Sequence, residues 1–545
     1  MNRRFFRYGC SFAVLFLALA TQPAWAHFPW LITDELGRPI LFFGEDLSDR
    51  TYHLPESLAD FPVQPAGGKQ PLEWEAINSE DFVGLRSTKP TAGDAMLCGS
   101  KTYGIYHGAK LVYYLQHLRG DDPAAWQSPP ASLGLRAAIK PNDQGLEVAV
   151  FWQDQPLGET QVQLFDELGE LQGTAKTNKA GVTTLPAGQL QTGLNAVMVG
   201  FTDPDSSGTL NDEAYTSAAN YLTVTFQWPG EITVSASEYP DLPSELTSFG
   251  GTVAGDSLYI YGGHIGGAHS YSTAEQSNKF WQLDLSQGAS AQWKSLASGP
   301  RLQGLAMVPY QESVIRLGGF TAKNAEGEEH DLHSQPTVSR YDAESNRWVD
   351  LTPLPESRSS FAAAVAGNHV YVVGGWKMAG DADSLWHGTA WSADLSQQPL
   401  QWKPLAKPNF KRRALSVAAH KGKIYAVGGM DEKDGPSVRT DVYDPANDSW
   451  AAGPSLVGES MTGFGCWAQS LGGQLYVSTV SGNIQRLNED TQAWEVVGQY
   501  EPGRFFHCML PLDAKSMLMV GGANMQVGRF TNLDVVTIPE GTVSP

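Results

Sequence analysis

The sequence predicts an all-β protein: a ring of six small antiparallel sheets preceded by a β-sandwich-like domain. Three observations carry this expectation. Glycine makes up 57 of 545 residues, well above the usual share of about 7%, and with 16 Trp and 19 Tyr it indicates many tight turns between aromatic-rich strands. Short apolar runs ending in a double glycine recur at regular intervals, and a second marker, tryptophan, keeps the same beat. Only 17% of residues are charged and 41% are hydrophobic, which excludes a charged disordered chain and a long coiled coil.

Residues 1–26 are predicted to be a signal peptide. MNRRFFRYGCS is a basic leader, FAVLFLALA a short apolar run, and Ala24-Trp25-Ala26 an A-x-A site with cleavage before His27. Arg3-Arg4-Phe5-Phe6 loosely resembles a twin-arginine signal, with Arg7 where that pattern prefers leucine. The apolar run is too short to span about 30 Å of hydrocarbon, and no later stretch reaches about 20 apolar residues, so no transmembrane segment is expected after cleavage. The mature chain is therefore expected in the periplasm or secreted, where disulfides are permitted. A net charge of -21 has the wrong sign for nucleic acid or an anionic lipid surface. With four cysteines, neither a disulfide-framed scaffold nor a Cys-rich zinc protein fits.

Residues 27–228 lack the double-glycine beat but are dominated by strand-like runs such as RPILFFGE from Arg38, KLVYYLQHL from Lys110 and NYLTVTFQ from Asn220. The segment from Gly145 reads as strand, turn, strand, turn and an Asn-x-x-Gly bend, expected to form one sheet of a β-sandwich. His27-Phe28-Pro29-Trp30-Leu31, the FFGE ending at Glu45, YGIYHGAKLVYY from Tyr103 and the final YLTVTF strand resemble a family of secreted bacterial domains, some of them linked to nickel or cobalt uptake. That resemblance implies metal handling. Cleavage before His27 would set a free α-amine beside an imidazole, a chelate suited to copper or nickel. A second imidazole would complete a brace, with His107 the first candidate and His117 and His53 behind it. The alternative is that His27 bonds the sandwich edge. DPDSSGTLNDE, with Asp203, Asp205, Ser207 and Asp212, looks like the opening of a calcium loop, but Ala214 stands where a bidentate Glu is needed, so a solvated acidic turn is expected.

Residues 229–540 hold the repeat. Gly262-Gly263, Gly318-Gly319, Gly374-Gly375, Gly428-Gly429 and Gly521-Gly522 each end an apolar strand; a degenerate copy, LYVST, has Ser478 and Thr479 at the expected glycine positions. Trp293, Trp348, Trp402, Trp450 and Trp494 follow in step. Six four-strand units of this length bury both faces only by packing radially, as a β-propeller. The last copy lacks a fourth strand, and ITVSASEYPDLP from Ile232 is expected to supply it. PESRSSFAAAVAGNHVYVVGG from Pro355 and YDPANDSW from Tyr443 resemble Kelch repeats, over about residues 240–540. The resemblance implies a six-bladed Kelch propeller and leaves function open.

Counting back from the double glycines, Arg301 and Arg504 stand 17 residues before, and Arg358 and Arg412 stand 16 before. This spacing places four arginines at the starts of innermost strands, with Glu245 near the equivalent place in blade 1. Such guanidinium forks suit a carboxylate or another anionic group, unless they bond turn carbonyls and a nearby acid instead. His507 near Arg504 is a candidate general base. Long loops after the second strands hold His264, His269, His330, His333 and His387; His330 and His333 with Asp331 and Glu329 are a further metal candidate. Cys466 and Cys508 fit packing or a disulfide between neighbouring strands better than the Tyr-Cys cofactor of oxidase-type Kelch propellers. The function expected is a non-catalytic extracytoplasmic binding protein whose propeller recognises a protein or carbohydrate ligand, in particular an anionic one. The alternatives are copper or nickel handling through His27, and a sugar-modifying enzyme of epimerase or oxidase type using Glu245, the arginines and His507.

Overall fold

The computed structural model describes residues 27–34, 36–68, 70–91, 96–119, 123–126, 128–142 and 144–539; the predicted signal peptide lies outside them. Secondary structure is almost entirely strand, with short 3-10 turns. Among the described residues no helix is long and apolar enough to cross a membrane.

The strands up to Trp228 form three β layers. A central seven-stranded sheet has the order Leu171–Lys176, Gln161–Asp166, Gly193–Asp203, Ser217–Trp228, Ala109–His117, Leu97–Tyr106, Gln64–Pro65. Alternation along Ala109–His117 sends Val112 and Tyr114 into one core and Leu111, Tyr113 and Leu115 into the other, so the sheet is buried on both faces. One face packs on Leu135–Asn142, Gly145–Trp152 and Val182–Pro186; the other packs on a four-stranded sheet that begins with Phe28–Thr33. The run from Gly145 is therefore not one sheet. Gly145–Trp152 lies in an outer layer and Gln161–Asp166 in the central sheet, and Val148, Val150, Val162 and Leu164 meet across a single core. Two apolar runs joined by a crossing turn bury more surface facing each other than lying side by side. The acidic 203–214 loop forms a small hairpin, Gly208–Leu210 with Glu213–Tyr215, whose turn residues Asn211 and Asp212 have φ of 50° and 65°, as a two-residue turn requires.

From Gly250 onward the chain builds four-stranded antiparallel sheets in sequence order: blade 1 starts at Gly250–Ala254, blade 2 at Ala306–Tyr310, blade 3 at Ala362–Ala366, blade 4 at Ser416–His420 and blade 5 at Trp467–Leu471. Blade 6 has three local strands beginning at Cys508–Pro511, and its outermost strand is Thr233–Ala236, paired with Leu533–Thr537. Consecutive first strands pack on one another and the sixth packs on the first, which closes the ring. Between blades lie apolar cores such as Val308, Ile315 and Leu317 against Val370 and Val372. Each fully buried side chain of this kind contributes about 1.5–3 kcal/mol.

Two recurring contacts lock each blade to its neighbour. Trp348, Trp402, Trp450 and Trp494 donate their indole N–H to the carbonyls of Ala297, Thr352, Ala406 and Pro454 in the preceding blade, at 2.8–3.1 Å. The first glycine of each pair approaches the next blade's backbone: a Cβ on Gly318 would lie 2.6 Å from the Arg358 carbonyl, and one on Gly374 2.6 Å from that of Arg412. Both also have positive φ, which glycine adopts without strain.

Candidate functional site

Strand pairing, rather than counting, sets the register of the blade starts. Thr247, Gln303, Ser359, Arg413 and Phe505 each pair with the residue just after a double glycine, so they are equivalent. The position before them holds Leu246, Leu302, Arg358, Arg412 and Arg504. Arg301 is thus one residue out of register. It is exposed and donates to the Gln276 carbonyl; its 17-residue spacing comes from that offset, whereas Arg504 is in register and reaches 17 through an extra residue within blade 6.

The other three arginines turn inward. Arg358 is fully buried; its Nη1 donates to the Gly374 and Thr389 carbonyls at 3.0 and 3.3 Å, and its Nη2 to Glu356 at 2.8 Å and Thr389 Oγ1 at 2.9 Å. Arg412 is equally buried and donates to the Gly428, Arg439 and Ala426 carbonyls and, at 2.7 Å, to the buried carboxylate of Asp441. Burial pulls both guanidinium groups down to about 10, while the neighbouring carboxylates resist the shift. Arg504 pairs with Asp534 and stacks on Phe530 at 4.2 Å. These groups hold blade starts to blade interiors. None of them, nor Arg301 or the exposed Glu245, lines either axial cavity described next.

Two cavities follow the propeller axis. One, of about 260 Å³, runs between the first strands and is lined mainly by small side chains such as Ala306, Ala362 and Ala418, with Trp467 intruding. The second, of about 100 Å³, sits at the mouth where the double glycines lie. Its rim is a circle of left-handed residues, Ser248, Gly304, Ser360, Ala414, Gly465 and Phe506, with φ of 50–60°. Around it each N–H from Gly304 to Phe506 donates to the carbonyl of the preceding member, at 2.7–3.2 Å.

His507 lines this mouth, where the other blades place Phe249, Leu305, Phe361, Leu415 and Cys466. Its Nε2 lies 2.6 Å from Ser478 Oγ, and among the described residues its Nδ1 has no hydrogen-bond partner. Burial and the nearby Arg504 charge push the imidazole down to about 3, far from the value a general base needs at neutral pH. Ser478 pairs with Trp467 just as Val427 pairs with Ser416, so the positions equivalent to the glycines are Thr479 and Val480, one later than the sequence suggests. Cys466 and Cys508 are free and enter different inter-blade cores; they do not form the disulfide considered from sequence. On the opposite face His420 joins Ser470 and Glu489, each at 2.8 Å, and so clips blade 4 to blade 5.

Above the mouth the segments expected as long loops form a second tier of strands. Phe320–Ala322, Leu332–Ser334, Trp376–Ala379 and Ala382–Trp386 join the blade 2 and blade 3 loops into one sheet. Thr273 and Asn324 link the blade 1 loop to it through hydrogen bonds of 2.8–3.0 Å. His333 is held by Asp331 at 2.5 Å, and His330 Nε2 accepts from the Tyr271 N–H at 3.4 Å. Large apolar side chains stand exposed here: Ile265 at 38%, Leu385 at 56% and Met525 at 72%.

In the N-terminal layers the His27 ring stacks on Tyr52 with centroids 3.7 Å apart, its Nε2 is 4.0 Å from Asp49, and its carbonyl accepts from Tyr113. His107 occupies an exposed hairpin turn against Tyr106, and His117 is buried between Thr33 and Thr225, held neutral with its pKa pushed to about 3. Among the described residues no cluster of three or more His, Cys, Asp or Glu is placed to hold a metal ion, at the calcium-like turn, at His330 and His333, or elsewhere.

The fold and its repeats define a Kelch-type β-propeller. The Kelch motif matches residues 411–457, which form most of blade 4. Kelch-like protein 36 of Bos taurus is 26% identical over 251 residues, 45% of this chain and 39% of that protein. N-acetylneuraminate epimerase of Haemophilus influenzae (strain PittEE) is 31% identical over 161 residues, 29% of this chain and 37% of that protein. The solved structure of YjhT covers 56% of this chain and 99% of its own, with a TM-score of 0.46 and 18% identity. The chain spans less than two fifths of the length of these two curated relatives.

Proposed function

We propose that the protein is an extracytoplasmic binding protein that recognises a carbohydrate through the loop tier of its propeller. The observation that carries this reading is the tier itself. Loops are ordered into strands over a rigid ring, with Leu385 exposed on one of these strands and Ile265 and Met525 exposed on the blade 1 and blade 6 loops. Exposed apolar side chains grouped on a preformed surface are characteristic of recognition sites. The partial likeness to an N-acetylneuraminate epimerase supports carbohydrate as the ligand class. Binding without turnover is favoured because no carboxylate lines the axial cavities and His507 is too weak a base at neutral pH. The export reading rests on the sequence pattern of residues 1–26.

The test is a glycan array probed with labelled wild type, with Leu385→Asp/Met525→Asp on the loop tier, and with Glu312→Lys at an exposed turn on the opposite face. Retention by the wild type and Glu312→Lys, with loss in the loop-tier variant, is the expected result. Equal retention by all three, or retention of no glycan by the wild type, would overturn the reading.

A further inference from the structure

His420, the last residue of the first strand of blade 4, is buried and reaches across to blade 5. Its Nε2 lies 2.8 Å from Glu489 Oε1 and its Nδ1 2.8 Å from Ser470 Oγ. A carboxylate only accepts, so in the neutral ring Nε2 carries the proton, Nδ1 keeps its lone pair, and the Ser470 hydroxyl donates to it. Lys421 Nζ holds the same Glu489 oxygen at 2.7 Å, and these two bonds keep the carboxyl below its usual range. Among the described residues His420 is the one histidine held between a hydroxyl and a carboxylate. Ser470 also lines the axial cavity of about 260 Å³, at the end away from the double glycines. The propeller does not need this arrangement to hold its blades together. Strand register gives every blade junction the same two positions, and elsewhere they hold pairs such as Ala366 with Ala419 and Leu471 with Pro511. None of the other five junctions places a histidine, a serine or a carboxylate there.

A hydroxyl within hydrogen-bond reach of an imidazole that a third group orients is the constellation that activates a serine, and it is recognised by geometry and roles rather than by chain order. We infer that Ser470, His420 and Glu489 form a hydrolytic site for a small acyl ester, with Ser470 as nucleophile, His420 as general base and Glu489 as the residue that positions it. Ser470 Oγ bonds to the ester carbonyl carbon while its proton passes to Nδ1; the C–O bond then breaks and that proton leaves on the alcohol. Water, giving a proton to Nδ1, attacks the acyl-enzyme, and the carboxylic acid departs as Ser470 regains its hydrogen. The Ala468 N–H leaves its sheet to bond Ser416 Oγ, so alternation turns the Ser470 N–H outward as well. The Gln469 amide, which donates to the Ser470 carbonyl at 3.0 Å, lines the same cavity, and these are the donors on hand for the oxyanion. Ala306, Ala362 and Ala418 leave a narrow apolar space that fits a short acyl chain and is too small for a polypeptide. The site lies on the face opposite the loop tier and does not depend on the carbohydrate reading.

The experiment exposes the purified protein to p-nitrophenyl acetate and, separately, to a fluorophosphonate whose adduct is mapped by peptide mass spectrometry. The variants are Ser470→Ala, His420→Gln and Glu489→Gln, with thermal melts as the folding control. The wild type should release nitrophenolate over many turnovers and carry the adduct on Ser470. Ser470→Ala and His420→Gln should each lower kcat by about a hundredfold or more, the range for loss of a positioned base. Glu489→Gln should lower kcat with KM within about twofold of wild type, because the carboxylate orients the imidazole without touching the ester. The adduct is read on the wild type, so the test stands where a variant fails to fold. No turnover by the wild type, equal turnover by Ser470→Ala, or no adduct on Ser470 would overturn the assignment. Wild-type kcat in Glu489→Gln would overturn the role given to that carboxylate.

Discussion

Asp441→Asn separates the two roles that adjacent arginines play. Asp441 and Arg412 are both fully buried, and Nη2 of Arg412 lies 2.7 Å from Oδ2. The same carboxylate holds Nη2 of Arg439 at 2.7 Å through Oδ1. The substitution keeps the shape and removes the charge. Arg439 is 38% exposed and can turn to water, whereas Arg412 cannot. Removing one partner of a buried pair costs about 3–5 kcal/mol, because the remaining charge stays desolvated and uncompensated. Against a typical stability of about 5–15 kcal/mol this is a large fraction, readable as a lower urea midpoint at an unchanged slope. Arg413→Gln, one residue from Arg412, gives up its contacts with the Trp376 and Trp386 indoles but, among the described residues, no ion pair, and should cost about 0.5–2 kcal/mol, less than Asp441→Asn. Glycan retention by Asp441→Asn should match wild type under conditions where the variant is folded. A midpoint loss below about 1 kcal/mol, or a selective loss of retention in a folded Asp441→Asn protein, would refute the division between a structural Arg412 and a recognition surface beside it.

Acid should destabilise the chain from below pH 6.5. His117 and His507 have an ordinary pKa of 6.5 and are pushed down to about 3 by burial, so between those values the unfolded chain binds more protons and stability is lost as the pH is lowered. Each adds a slope of up to about 1.4 kcal/mol per pH unit, and urea midpoints of His507→Gln across this range should show a shallower fall. His507→Leu alone leaves the buried Ser478 hydroxyl with only its 3.5 Å bond to the Trp467 carbonyl and should cost about 1–3 kcal/mol, whereas His507→Leu with Ser478→Val gives the apolar pairing of the other blades and should recover most of it, as a double-mutant cycle will show. Copper titration of the chain beginning at His27 should show binding that strengthens with pH as the amine and imidazole deprotonate. A form with one extra residue should lose most of that binding, and His107→Ala should leave it unchanged because His107 sits on an exposed turn.

The repeat was legible because its markers are steric. Gly318 and Gly374 have no room for a Cβ, and Trp348, Trp402 and Trp450 must each reach a carbonyl of the preceding blade, so the same residue types return at the same interval. The arginine at three blade starts was legible for the same reason, but its role was not. Only the placement of Glu356, Asp441 and Asp534 shows that the guanidinium groups face inward. Register was lost wherever spacing changed by one residue, as at Arg301 and at Ser478, because counting cannot tell an extra turn residue from a shift along the strand. Arg413 carries no signal of its own in the sequence, because it follows Arg412 and breaks no pattern. Its signal lies in Trp376 and Trp386, far away in sequence and meeting it only in the loop tier.

That difference bears on how a propeller divides stability from recognition. At the position of Arg358, Arg412 and Arg504 each guanidinium meets an acid, and Arg358 and Arg412 also donate to the equivalent carbonyls of Gly374 and Gly428. One residue on, blades 1 to 4 place Thr247, Gln303, Ser359 and Arg413, four different chemistries on one backbone position. The ring constrains that backbone through the bonded circle of left-handed residues that follows, and it leaves the side chains free to differ. A desolvated cation there gains partial compensation from the indoles, since a cation over an aromatic face is stabilised by about 0.5–2 kcal/mol, less than a paired carboxylate would supply. Among the described residues the fold supplies that carboxylate at Arg412 and sets two indoles and the Met430 sulfur against Arg413 instead.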